Sequence, residues 1–199
     1  PLPDRIEVEP PPPLPVPLPP EAETTIENAP EEAKSPEEWL EIAARELQNA
    51  EMRDDIADAL LGFAASCFQR RALFMIRKEN VVGWYGDGVG VDAAAIRGIE
   101  LPSEEPSVFH GILQGQNYWL GPLAPMPRNR ELIAALGGVP PRDCLVLPVS
   151  LKNRIVCFLY GDNLGAGVAG APMVELRRLV SKAGLAFEVY ILKNKIRTL

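Results

Sequence analysis

The fold of this chain is constrained most by a pattern that occurs twice. Residues 71–88 and residues 144–162 each hold an apolar run, a short polar break and a second apolar run. Each ends in the same tripeptide, Tyr85-Gly86-Asp87 in the first and Tyr160-Gly161-Asp162 in the second. Short runs rich in Val, Ile, Leu and Phe, interrupted by a few turn residues, read as β-hairpins. Strands are expected at Ala72–Arg77 and Val81–Tyr85 around Lys78-Glu79-Asn80, and a second hairpin over roughly Cys144–Gly161. The repeated Tyr-Gly-Asp reads as a strand terminator, not as a ligand set. The run Gly86–Gly90 follows a strand, but it lacks the Lys-Ser/Thr of a phosphate loop, and Asp87 and Asp92 would repel phosphate. A tight turn leaving the strand accounts for it better.

Helical patterns bracket the hairpins. Ser35-Pro36-Glu37-Glu38 combines a capping serine, a proline in the first turn and acids at the positive end of the dipole. The N-terminal helix is expected over 36–67, with room for a break between Gln48 and Asp54. Ala43, Ala50, Ala57 and Ala64 recur every seven residues. Small residues at that spacing suit close contact between helices. An amphipathic helix lying on a sheet suits them equally. The last helix is expected over 172–197, with Met173, Leu176, Val180, Ala183, Phe187 and Tyr190 on one stripe. Between the hairpins come a short strand at Ala95–Glu100, a short helix near Ser107–Gln114, a strand at Tyr118–Leu120 and a helix at Asn129–Leu136 ended by Gly137-Gly138. The core spans 68–171. This order implies an α+β fold, an antiparallel sheet of five to six strands with the terminal helices on one face.

Residues 1–35 differ in kind. Glu9–Pro20 is dominated by proline, which has no backbone donor and a fixed φ, so an extended spacer is expected. A ligand for an aromatic-lined groove is the other reading. Eight acids against two bases in 1–35 hold most of the net charge of −7. The remainder is nearly neutral and has no basic stripe, which argues against nucleic acid. No run reaches the length of a membrane span. The chain opens on Pro1 without the basic and apolar regions of a signal peptide, so a fragment of a longer protein is expected. Cys67, Cys144 and Cys157 are widely spaced in apolar runs, which suits reduced, buried thiols and a cytoplasmic protein.

With these residues in this order, positions 54–196 resemble a GAF domain. The most telling piece is Leu147–Tyr160: an apolar strand with a proline, a short polar turn, then Ile155-Val156-Cys157-Phe158-Leu159. Cys157 stands where glycine is common in the family. Ile99–Phe109 and Tyr118–Gly121 resemble the variable connection and third strand. The resemblance implies terminal helices on one face of the sheet and a helical, irregular connection, here 89–136, on the other. In many members a small molecule binds between sheet and connection, and the terminal helices dimerise and pass signals to neighbouring domains.

The residues themselves offer little chemistry. The Asn-Lys…Phe…Asp-Glu set of cyclic-nucleotide-binding members is missing. His110, the one histidine, has no cysteine near it in sequence, as bilin-binding members require. One His and scattered Cys do not make a zinc site, and no Ser–His–Asp set can be arranged. Some GAF proteins reduce methionine sulfoxide with cysteines; Cys144 and Cys157 could meet across the second hairpin, yet their apolar strands would raise the thiol pKa. Trp84, Tyr85, Phe109, Tyr118 and Trp119 are candidates to line an apolar pocket, or to fill the core beneath the connection. Tyr118 and Trp119 alternate faces, so at most one points into a given pocket.

The expectation is therefore a non-enzymatic regulatory module of a multidomain, bacterial-type signalling protein, without cofactor or metal. It would form a homodimer through Ala43, Leu47, Ala50, Ala57, Leu176, Val180 and Phe187, with a small molecule as candidate ligand. The alternatives are a ligand-free interaction scaffold of the same fold and, last, a cysteine-based redox enzyme.

Overall fold

A computed structural model describes residues 34–197. The spacer expected over 1–35 lies outside the described residues except for Lys34 and Ser35. The described residues begin with two helices, not one: α1 (Pro36–Asn49) and α2 (Arg53–Ala65). Ser35 closes α1 with a reciprocal cap, its hydroxyl accepting from Glu38 N while the Glu38 carboxylate accepts from Ser35 N. The break falls where the Asp55 carboxylate accepts from the backbone nitrogens of Glu51 and Met52, both at 2.8 Å, and so starts a second helix.

Six strands follow in an all-antiparallel sheet: β1 (Arg70–Arg77), β2 (Asn80–Gly88), β3 (Glu100–Pro102), β4 (Trp119–Gly121), β5 (Cys144–Leu151) and β6 (Arg154–Asp162). Their order is β3-β2-β1-β6-β5-β4. The two hairpins thus join through β1 and β6 at the centre, and three-residue strands close each edge. Lys78 and Lys152 adopt φ of 55° and 56°, the left-handed turn that lets each hairpin reverse in two residues. The strand expected at Ala95–Glu100 is instead the helix α3 (Ala93–Arg97), with β3 after it. Asp92 caps α3, its carboxylate accepting from Ala94 N and Ala95 N, and three consecutive alanines favour helix. Two further short helices, α4 (His110–Leu113) and α5 (Pro127–Ala135), complete the connection, and α6 (Met173–Arg197) ends the described chain.

Alternation along the strands sends side chains into two cores, one on each face. Leu73, Leu145, Leu147, Cys157 and Leu159 meet α1, α2 and α6. Phe74, Val146, Phe158 and Tyr160 meet the connection, through Ile96, Phe109, Ile112 and Leu132. Two irregularities break the alternation; in the second hairpin the β5–β6 register passes from Val149–Cys157 to Ser150–Ile155, so Val156 is an extra residue, and the first hairpin holds the other. The β1–β2 register passes from Leu73–Tyr85 to Phe74–Gly83, so Trp84 is an extra residue, a β-bulge. Trp84 and Tyr85 therefore both pack on the helical side. The glycines of the two Tyr-Gly-Asp copies have a common cause. A Cβ on Gly86 would lie 2.6 Å from Ile96 Cγ1, and one on Gly161 would overlap the Phe68 ring. Each glycine leaves room for a neighbour that crosses its strand.

Candidate functional site

The interior between sheet and connection is where the family resemblance directs a ligand. Phe74 from β1, Phe158 from β6 and Phe109 from the turn before α4 converge there, all fully buried. Phe109 contacts both of the others, with ring centroids at 4.9 Å and 5.0 Å and tilts of 54° and 45°. Tilted contacts at this range are the favoured aromatic geometry. Ile112, Leu132 and Leu136 pack around them with essentially no exposure. Here the chain's own side chains occupy the volume between the two layers.

At one end of this interior lies a buried polar cluster. Arg70, 1% exposed, donates from Nε to both carboxylate oxygens of fully buried Asp162, at 2.9 and 3.0 Å. Its Nη1 donates to the carbonyls of Leu136 and Val139, both at 2.8 Å. Tyr160 donates its hydroxyl to Asp162 Oδ2 at 2.6 Å, and Leu164 N donates to Oδ1 at 2.9 Å. A buried ion pair needs such extra partners to offset the loss of water. The cluster ties β1, β6 and the α5–β5 loop together. Arg70 lies two residues before the expected strand, and Asp162 reads as a terminator, so sequence reasoning missed both.

The five aromatic candidates do not share one pocket. Trp84 packs on the helical face, 5.3 Å from the Tyr85 ring and 6.3 Å from that of Phe187. The Arg53 guanidinium lies 5.8 Å from the centre of the Trp84 ring. Tyr118 is also on the helical side, beneath the Arg177 guanidinium at 4.9 Å. Phe109 and Trp119 belong to the connection side, where Trp119 donates its indole N–H to Gly121 O at 3.3 Å. His110 holds the connection together, Nδ1 donating to the Ser103 carbonyl at 3.0 Å.

The cysteines do not meet either. Cys157 belongs to the helical core and Cys144 to the connection core, so the sheet separates them. The register places Val149 opposite Cys157 and Cys144 opposite Asp162, five ladder positions away, or roughly 16 Å at strand spacing. Burial pushes both thiols up to about 12, with the Asp162 and Asp143 carboxylates adding to the effect at Cys144. Cys67 is half-buried and burial raises its thiol too. Thiolate chemistry is disfavoured at all three.

The helical face holds the residues expected at a dimer interface. Ala43, Leu47, Ala50, Ala57, Leu176 and Phe187 are buried in the chain's own core, and Val180 packs against that core. They face the sheet and one another within one chain, where a second copy cannot reach them. A different stripe of α6 is open. Leu185, Val189, Leu192 and Ile196 are 62%, 47%, 53% and 72% exposed. A shallow groove of about 260 Å³ between α1 and α6 runs beside it, lined by Ala44, Gln48, Leu185 and Val189. Among the described residues no helix is long and apolar enough to cross a membrane.

This arrangement, a six-stranded antiparallel sheet with terminal helices on one face and a helical connection on the other, is a GAF-like fold. No protein-family model and no curated protein matches the sequence. Solved structures do match it in fold. The GAF domain of a phosphoenolpyruvate-protein phosphotransferase from Coxiella burnetii superposes with a TM-score of 0.66 at 12% identity, over 82% of this chain and 99% of that one. A free methionine-R-sulfoxide reductase from Neisseria meningitidis, solved with its substrate, gives 0.62 at 13% identity, over 83% and 96%. A phycoerythrobilin-bound GAF domain from a cyanobacterial phytochrome gives 0.61 at 12%, over 79% and 99%.

Proposed function

We propose that this chain is a non-enzymatic regulatory module of a multidomain signalling protein, acting in the cytoplasm of a bacterial cell and pairing with a second copy through the outer face of α6. The observation that carries the reading is the spacing of the open stripe. Leu185, Val189, Leu192 and Ile196 follow one another at four, three and four residues, the apolar rhythm of a coiled-coil seam. The inner stripe of the same helix is already spent on the sheet. A helix apolar on two opposed faces has two neighbours to satisfy. The solved relatives include domains of a phosphotransferase and of a phytochrome, which supports a regulatory setting.

Small-molecule input between sheet and connection has no part in this reading, because aromatic side chains fill that interior. Nor does sulfoxide reduction, whose thiolates the buried cysteines could not supply. A ligand-free scaffold that offers the same stripe to another protein is the second reading, and the same exposed residues favour it. Light scattering across a concentration series separates the two. The pairing reading expects a dimer that the double change Leu185→Glu with Leu192→Glu converts to a monomer with an unaltered circular dichroism spectrum. A native chain that stays monomeric at tens of micromolar leaves the stripe to a different partner.

A further inference from the structure

The two hairpins part company at their tips. The β1–β6 ladder runs from Arg70–Asp162 to Met75–Cys157 and stops there. Both hairpins continue beyond that point, β1 with β2 to Arg77–Asn80 and β5 with β6 to Leu151–Arg154. The sheet therefore forks, and along the fork the facing edges of β1 and β6 have no ladder partner. A groove of about 790 Å³ opens in the fork. Its apolar wall includes Ile76, Leu151 and Val156 from the strands with Phe187, Tyr190 and Ile191 from α6.

The charge around this groove runs against the rest of the chain. Arg53, Lys78, Lys152 and Arg154 line it and no acid does, on a part of the chain, residues 36–199, whose charges nearly cancel overall. Two of these cations are matched nearby, Lys152 by Glu188 at 3.4 Å and Arg53 by Asp54 at 3.4 Å. Lys78 and Arg154 form no ion pair among the described residues. Both line this groove, Lys78 from the turn after β1 and Arg154 from the start of β6. Two cations on one groove without carboxylate partners favour an anion between them.

We propose that the fork is a binding site for a small amphipathic anion, an organic carboxylate with an apolar tail. The carboxylate sits between Lys78 and Arg154, which offer charge-assisted hydrogen bonds. The tail lies on Ile76, Val156 and the underside of α6. The volume is within the range of small-ligand sites, and a mostly apolar lining with a few placed charges is their usual composition. The apolar wall disfavours a fully polar metabolite, and the basic rim disfavours a neutral or cationic amphiphile. The site is on a different part of the molecule from the sheet–connection interior and from the pairing stripe of α6. It stands or falls independently of pairing.

The test is calorimetric titration of the full chain with sodium decanoate below its micellar concentration, beside decanol and decyltrimethylammonium. Saturable binding of decanoate alone is expected. Lys78→Gln with Arg154→Gln removes both charge-assisted contacts and should weaken it by at least about tenfold, the scale of losing even one. Both side chains are exposed, so the variant should keep the native melting profile. Raising salt to about 0.5 M should weaken binding as well, since the rim charges are exposed and screened. No saturable heat, equal binding of all three probes, or unchanged affinity in the double variant would overturn the proposal. Binding of an acidic amphipathic peptide but not of decanoate would also overturn it, assigning the groove to a protein partner.

Discussion

The same tripeptide ends two strands of this protein and meets opposite fates. Tyr85-Gly86-Asp87 and Tyr160-Gly161-Asp162 both pair with the start of β1, but one residue out of step. Asp87 lies across from Arg71 and Asp162 across from Arg70. Successive residues of a strand face opposite sides, so a shift of one turns the whole tripeptide over. Asp162 enters the connection core, where Arg70, Tyr160 and a backbone N–H surround it. Asp87, 63% exposed, pairs with Arg71 at the surface. Residue type decides neither fate; the register against a shared neighbour does. Electrostatic consequences follow from burial, since water screens one pair and is excluded from the other.

The sharpest break in this symmetry comes from removing the aspartates. Asp162→Ala leaves the Arg70 guanidinium buried without its counter-charge and should cost about 3–5 kcal/mol of unfolding free energy in urea titrations. Replacing both partners, Arg70→Met with Asp162→Leu, should recover only part of that loss, because it removes the buried charges but leaves the Leu136 and Val139 carbonyls, the Tyr160 hydroxyl and Leu164 N without these partners. A double variant as unstable as Asp162→Ala would mean that the grip of Arg70 on the Leu136 and Val139 carbonyls, not the ion pair, holds the loop.

The tyrosines should differ next. Burial, with Cys144 and Asp162 nearby, holds the Tyr160 hydroxyl well above the ordinary tyrosine value, whereas Tyr85 is raised less far, by burial and the Asp54 and Asp58 charges. A phenol whose proton is held more tightly in the folded state contributes stability that is complete below the unfolded pKa of about 10 and declines as pH rises past it. Ultraviolet titration should show Tyr160 ionising only as the protein unfolds. Tyr160→Phe should cost about 1 kcal/mol at neutral pH and flatten the alkaline decline. At the small end, Asp87→Ala should change stability by less than about 1 kcal/mol, as exposed pairs do. A loss as large as that of Asp162→Ala would refute the register argument.

The hairpins, the antiparallel sheet and the terminal helices were legible because apolar runs and turn residues act locally. The helix α3 was missed although Asp92 before three alanines is a cap signal; the adjacent Ile96–Glu100 resembles a strand and is one only at its end. The bulge at Trp84 could not be read, since it exists only relative to β1. It explains why Trp84 and Tyr85 turn away from the interior expected to receive a ligand. The helical stripes show a subtler limit. Periodicity marks Leu176 and Phe187 as facing something apolar, without distinguishing the chain's own sheet from a second chain. The outer stripe of Leu185 and Leu192 was written at the same periodicity, and only the packing of the inner stripe against the sheet singles it out. The Arg70–Asp162 pair spans 92 residues and has no local signature at all.

The helix α6 uses two faces differently, one on the sheet and one open to a second copy. Amide hydrogen exchange of the full chain at several protein concentrations tests this residue by residue. The segment Leu176–Ala183 should be protected at every concentration, because the sheet covers it. Protection of Leu192–Ile196, beyond the last residues that α6 packs on the core, should rise with concentration and vanish in the Leu185→Glu, Leu192→Glu variant. Protection of that second segment that does not depend on concentration would contradict pairing through α6.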